Sequence, residues 1–278
     1  MGRIVNFLAV VSAAALAACS SGTPPVSLES RSIAVTENAV PTSGAATAGS
    51  SVAHLLPAIG PTYVTLNVTA VDRFADLKNR VRAPVTSGSG YVVDGSGHVM
   101  TAAHVAVEEG NAISARAANG KVYSGKVVAI NKANDMAIIK LKGYKGPAVR
   151  PSAPGCMSRG ELVFTLGKPH DQGDTARIGT LESRHFGRAV AYGKFGYPDA
   201  MVLRMGTQKG ESGGPVFNGN GQLIGMVVST LSDAAGQSIN LAHAIPSTSL
   251  ANFLCSTAEC SANWAALANQ NVDSCSGA

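Results

Sequence analysis

Long runs of one charge are missing from this chain. It carries 22 Lys and Arg against 17 Asp and Glu, and no block of five basic residues interrupts the spread. That removes the electrostatic footprint on which nucleic-acid binding depends. Charged residues make up only 14% and aromatics 5%, whereas glycine is abundant at 31 residues. Such a balance suits a globular core crossed by many tight turns, as short-stranded β folds require. No apolar run is long enough to span a bilayer: the longest, Ile4 to Leu16, falls short of the roughly 20 residues a spanning helix needs. The only closely spaced cysteine pair, Cys255 and Cys260, has no histidine nearby, which argues against zinc. No metal or organic cofactor is expected. A length of 278 residues fits one two-barrel β protein or two small domains.

The N-terminus reads as a targeting segment. Arg3 gives the positive start, the apolar stretch follows, and Leu16-Ala17-Ala18-Cys19 resembles the lipobox of bacterial lipoproteins. That resemblance implies a signal peptide at 1–18, cleavage before Cys19, acylation of that cysteine, and membrane attachment by several acyl chains. Ser20 resembles sorting to the outer membrane, facing the periplasm. The alternative is ordinary secretion with Cys19 discarded. Residues 19–51 are rich in Ser, Thr, Ala, Gly and Pro and lack apolar periodicity, so a flexible tether is expected there. Cys156, Cys255, Cys260 and Cys275 remain, an even number that suits two disulfides in an exported chain and allows three pairings. A local Cys255–Cys260 bridge would leave Cys156 for Cys275; a reduced, buried set is the alternative.

From about Val52 the pattern changes. Tyr63 to Val68 alternates with period 2, and further short strands are expected at 90–93, 99–101, 122–130, 136–141, 161–166, 177–183, 200–204, 215–217, 223–229 and 239–244. Asp94-Gly95, Asn119-Gly120 and Asn218-Gly219-Asn220-Gly221 supply turn chemistry between them. Ser247 to Leu254 reads as a short helix opened by Pro246 and Ser247. The expected fold is all-β, and the expected domain covers 52–254, followed by a cysteine-containing tail at 255–278.

Three motifs carry chemistry. Gly210-Glu211-Ser212-Gly213-Gly214-Pro215 places a serine among glycines. A hydroxyl is a weak nucleophile that needs a base and adjacent N–H donors, and glycine at 210 permits the dihedrals that turn its own N–H inward. The N–H groups of Gly210 and Ser212 are therefore the candidate oxyanion hole. Thr101-Ala102-Ala103-His104 ends a strand on a histidine that would take the serine proton. Alone, such a histidine is more often structural; the serine motif favours the base. Asn134-Asp135-Met136-Ala137 sets an aspartate at the start of an apolar strand, sheltered enough to orient an imidazole. The order His, Asp, Ser separates the set from the subtilisin and α/β-hydrolase arrangements.

Together with Gly88-Ser89-Gly90-Tyr91-Val92-Val93, these motifs resemble the trypsin-like serine proteases, and the closest likeness is to the bacterial high-temperature-requirement (Deg) branch. Leu166-Gly167-Lys168-Pro169, Ala244-Ile245-Pro246 and the interval of 31 residues from His104 to Asp135 suit that branch. The resemblance implies two six-stranded antiparallel β-barrels over about Leu55 to Leu254, with a catalytic triad in the cleft between them. It implies a serine endopeptidase acting on protein or peptide substrates in the cell envelope, through an acyl-enzyme. Only about two dozen residues follow Leu254, so no PDZ domain is expected there. Glu211 replaces the asparagine common in the branch. Arg3-Ile4-Val5-Asn6 looks like an activation site but lies inside the signal peptide, so Glu211 need not pair with a freed N-terminus. Gly206, six residues before Ser212, offers no charge for Arg or Lys; with Val228 and Ser229 it would line a pocket for a small aliphatic residue. The other reading is a latent or non-hydrolytic peptide-binding or scaffold protein on the same fold. The oligomeric state is left open.

Overall fold

The computed structural model describes residues 33–37, 42–70, 84–170, 172–233, 235–258 and 260–275. The signal peptide at 1–18 and Cys19 lie outside them. The tether expected at 19–51 is corrected where it is described. Ala34–Glu37 forms a strand, β1, and Thr42–Ile59 forms an 18-residue helix, α1. Small residues suit a helix that approaches its neighbours closely, and alanine is the best helix former. Ala48, Val52 and Ile59 of α1 are buried in the core, which supplies what composition alone did not show.

Six strands then close a barrel: β2 (Tyr63–Thr69), β3 (Pro84–Val92), β4 (His98–Thr101), β5 (Ala112–Ala117), β6 (Val122–Asn131) and β7 (Met136–Leu141), in the order β2-β3-β4-β7-β6-β5. The expected strands are present, several of them longer at one or both ends. β5 is the addition. Its alanines give little strand signal, yet it pairs with β2 on one side and β6 on the other, and it alternates buried and exposed residues. Along the first six residues of β6, exposed and buried positions alternate strictly, so one face fills the barrel. Ile138, Ile139 and Leu141 of β7 are almost fully buried, each worth roughly 1.5–3 kcal/mol of transfer free energy.

The second barrel uses β8 (Leu162–Gly167), β9 (Thr175–Ser183), β12 (Met201–Arg204), β13 (Pro215–Asn218), β14 (Leu223–Ser232) and β15 (Ser238–Pro246). They run β9-β12-β15-β14-β13-β8 and close through the β8–β9 pairing. β1 lies parallel to β9 outside this ring, with Thr36 opposite Arg177. Between β9 and β12 the chain makes a hairpin of β10 (Val190–Tyr192) and β11 (Phe195–Tyr197). The architecture is thus two closed six-stranded antiparallel barrels, as expected.

Where one short helix was anticipated after the last strand, two occur. α3 runs Ser247–Thr257 and α4 runs Ala262–Leu267. Trp264 of α4 is 1% exposed, and its indole N–H donates to the Val93 carbonyl of the first barrel at 3.1 Å. The disulfides are Cys156–Cys275 and Cys255–Cys260. Among the described residues no helix is long and apolar enough to cross a membrane.

Candidate active site

The candidate site lies where the two barrels face each other. The one-turn helix α2 (Ala103–Ala106) follows β4 directly and carries His104. Asp135 ends the turn between β6 and β7 with φ of 48°, a left-handed conformation uncommon outside glycine and tolerated best by Asn and Asp. That backbone turns a fully buried carboxylate toward the histidine. Asp135 Oδ2 lies 2.8 Å from His104 Nδ1 and Oδ1 lies 3.1 Å from it, while Oδ1 also accepts the His104 backbone N–H at 2.9 Å. Ring and backbone are therefore gripped by one carboxylate.

Ser212 sits in the loop before β13. Gly210 has φ of 97° and Gly213 has φ of 82°. A Cβ at Gly210 would stand 2.3 Å from the Lys168 carbonyl oxygen, and one at Gly213 would stand 2.3 Å from that of Ser89, so both positions require glycine. The Glu211 N–H donates to Gln208 O at 3.1 Å and the Gly213 N–H to Val227 O at 2.8 Å. The N–H groups of Gly210 and Ser212 have no acceptor among the described residues. Alternate donors are thus left open beside the serine, the arrangement a developing oxyanion needs. Ser212 and His104 line the same cleft of about 300 Å³, although the Ser212 hydroxyl makes no hydrogen bond to His104.

Four supporting residues were not singled out from the sequence. Tyr192, from the β10–β11 hairpin, donates its hydroxyl to Asp135 Oδ2 and stands 3.3 Å from His104 Nδ1. Burial and the Asp135 charge push its own phenol well above the usual range. Phe195 of the same hairpin meets the His104 ring edge-on at 6.3 Å. Ser89 of β3, fully buried, donates to Gly210 O at 2.9 Å and accepts from the Lys168 N–H at 3.2 Å, and its own N–H donates to Ser212 O at 2.9 Å. Arg177 of β9 is the fourth. Its Nε lies 2.6 and 2.8 Å from the two carboxylate oxygens of Glu211, and the Gln208 N–H donates to the same carboxylate. Burial pushes the Glu211 carboxyl up while the Arg177 guanidinium opposes it.

The expected specificity segments come together. Thr207, next to Gly206, shares a 2.6 Å hydroxyl contact with Thr230 of β14. Val228 is buried, and Ser229 turns its hydroxyl to the Tyr197 phenol at 2.8 Å. Tyr197 in turn meets His243 Nδ1 at 2.8 Å, and burial holds that imidazole below the ordinary histidine range.

Comparison with known proteins bears on this geometry. The trypsin-like peptidase domain family matches residues 88–226. The serine protease HhoB of a Synechocystis species is 31% identical over 164 residues, which is 58% of this chain and 37% of the relative. A DegP-like periplasmic serine endoprotease of Brucella suis is 31% identical over 59% of this chain and 31% of its own length. The chain therefore spans about a third of these relatives. Among solved structures, the HtrA-type protease AlgW with a tripeptide superposes with a TM-score of 0.58 at 22% identity, over 70% of this chain and 59% of the other. That likeness is one of fold.

Proposed function

The chain belongs to the trypsin-like peptidase domain family, and from that premise we propose that it is a serine endopeptidase in which Ser212, His104 and Asp135 form the triad. His104 Nε2 takes the Ser212 proton as Oγ attacks the scissile carbonyl. Asp135 holds Nδ1–H, fixes the tautomer and stabilises the imidazolium that forms. The N–H groups of Gly210 and Ser212 receive the oxyanion. His104 then returns its proton to the leaving amine, and water, activated by the same imidazole, releases the acyl group from Ser212.

The observation that carries this reading is the double contact from the Asp135 carboxylate to His104, at 2.8 Å to the ring and 2.9 Å to the backbone, beside a serine flanked by two open N–H donors. The proton transfer also needs a Ser212–His104 hydrogen bond. Such bonds are often long or unaligned before substrate arrives and tighten in the complex. Gly206, Val228 and Ser229 are proposed to line the pocket for the residue before the cleaved bond. The periplasmic assignment of the DegP-like relatives supports export and envelope protein substrates. The Leu16-Ala17-Ala18-Cys19 motif supports a lipid anchor.

Labelling of residues 20–278 with a fluorophosphonate probe tests the mechanism. Labelling is expected in the parent protein and lost in both Ser212→Ala and His104→Ala. A folded protein that never labels would replace this reading with a peptide-binding one. The anchor is tested by mass spectrometry of the mature N-terminus, where an unmodified residue other than Cys19 overturns it.

A further inference from the structure

The cleft that holds Ser212 and His104 is lined by neither Gly206 nor Val228 nor Ser229. It is therefore distinct from the pocket assigned to the residue before the cleaved bond. Its remaining wall includes Ser87, His170 and Lys209. A second cleft of about 290 Å³ continues from it, sharing Ser87 and His170 and adding Lys168 and Arg116. His104 passes its proton to the departing amine, so this double cleft is where the leaving segment of a substrate would lie.

Every ionisable side chain lining the two clefts is basic: His104, His170 and Lys209 in one, Arg116, Lys168 and His170 in the other. Among the described residues, Arg116, Lys168 and Lys209 have no carboxylate within ion-pair distance; Ser87 Oγ is 3.2 Å from His170 Nε2. Elsewhere, Lys132 and Lys194 both face Glu108, at 4.0 and 3.6 Å. Lys209 and His170 are exposed, while Lys168 and Arg116 are half-buried beside the groove. Uncompensated charge of one sign along a cleft raises the local concentration of the opposite sign. An extended peptide advances about 3.3 Å per residue, so a few residues past the cleaved bond would run beside these bases.

We propose that the leaving side of the cleft is a carboxylate-binding subsite, formed by Arg116, Lys168, His170 and Lys209, which selects substrates with acidic groups within about four residues after the cleaved bond. The inference rests on the serine-endopeptidase reading and assigns its substrate class. Two sources of carboxylate fit: Asp and Glu side chains, or the free C-terminus of a substrate cut close to its end.

Digestion of a proteome-derived peptide library, with cleavage sites read by mass spectrometry and Ser212→Ala as the blank, decides the matter whatever residue the enzyme prefers before the cut. Asp and Glu are expected to be enriched about threefold over library abundance at the second to fourth positions after the cut, with the enrichment shrinking as salt is added. Lys168→Gln combined with Lys209→Gln should bring that ratio toward one. Cuts clustered two to four residues from peptide C-termini, without internal acidic enrichment, identify the terminal carboxylate as the ligand. Ser212-dependent cutting with neither pattern, or with Lys and Arg enriched, overturns the subsite alone. Absence of any Ser212-dependent cutting overturns the protease reading and the subsite with it.

Discussion

The hydroxyl of Ser89 in the first barrel donates to the carbonyl of Gly210 in the second at 2.9 Å, and the two residues are 121 positions apart. The same oxygen accepts the Lys168 N–H, so one buried hydroxyl binds both loops beside the nucleophile. Its backbone holds Ser212 O as well. The loop that presents the candidate oxyanion hole is thus positioned from across the cleft.

Ser89→Ala leaves the Lys168 N–H without its acceptor and frees Gly210 to rotate. An unmet buried donor costs about 1–3 kcal/mol. The fluorophosphonate labelling rate should fall by about one to two orders of magnitude, as expected when an oxyanion donor is displaced. Urea midpoints should fall far less than in a core truncation.

Arg177 and Glu211 form a buried ion pair immediately before the nucleophile, with side chains 3% and 0% exposed. Breaking it from one side strands a charge. Glu211→Ala and Arg177→Met should each cost about 3–5 kcal/mol by denaturant unfolding, and the double variant should cost clearly less than the sum. Labelling of Ser212 should fall in both single variants. The pair anchors the loop from within the second barrel.

Tyr192→Phe keeps the ring and removes one donor from the Asp135 carboxylate. A carboxylate with one fewer hydrogen bond is held less firmly against the His104 ring. The kcat should therefore fall about tenfold with KM little changed. An unchanged kcat would mean that the phenol only packs against the histidine.

His185 bonds Asp199 at 2.6 Å and Asp273 at 3.0 Å, and these carboxylates, Asp199 foremost, raise its imidazole above the ordinary value. A raised histidine contributes most below its unfolded value of about 6.5, and that contribution is lost as pH rises through the raised one. Amide-exchange protection around Asp273 should therefore be greater at pH 6 than at pH 8.5 once corrected for intrinsic rates. His185→Gln should flatten that dependence.

Cys156–Cys275 closes a sequence separation of 119 residues, whereas Cys255–Cys260 closes 5. Chain entropy makes the first the stronger restraint, at about 4–5 kcal/mol in the loop-closure account. Replacing Cys156 and Cys275 with serine should lower the urea midpoint more than replacing Cys255 and Cys260.

The residues proposed for the triad were legible because each is flagged locally. Gly210 and Gly213 mark the bent loop around Ser212, and Asp135 opens an apolar strand. Their partners were not legible, because they arrive from far along the chain. Tyr192 reaches Asp135 across 57 residues and Arg177 reaches Glu211 across 34. Nothing in the sequence around a tyrosine, an arginine or a buried serine announces which distant loop it will meet. β5 was hidden by its alanines, which signal strand weakly but pack where β2 and β6 would otherwise present open edges. α1 was hidden for the converse reason: Ser, Thr, Ala and Gly describe a solvated linker and a closely packed helix equally well, and only contacts such as that of Ala48 with the core separate the two.

The C-terminal segment has a mechanical consequence. α3 grows out of the last strand of the second barrel, and α4 then seats Trp264 against Val93 of the first. Opening the cleft as a hinge would mean withdrawing a buried indole and breaking its hydrogen bond. The C-terminal segment thus ties one barrel to the other. Adaptation to differently shaped substrates therefore falls to the loops at the cleft's rim rather than to swinging of one barrel against the other.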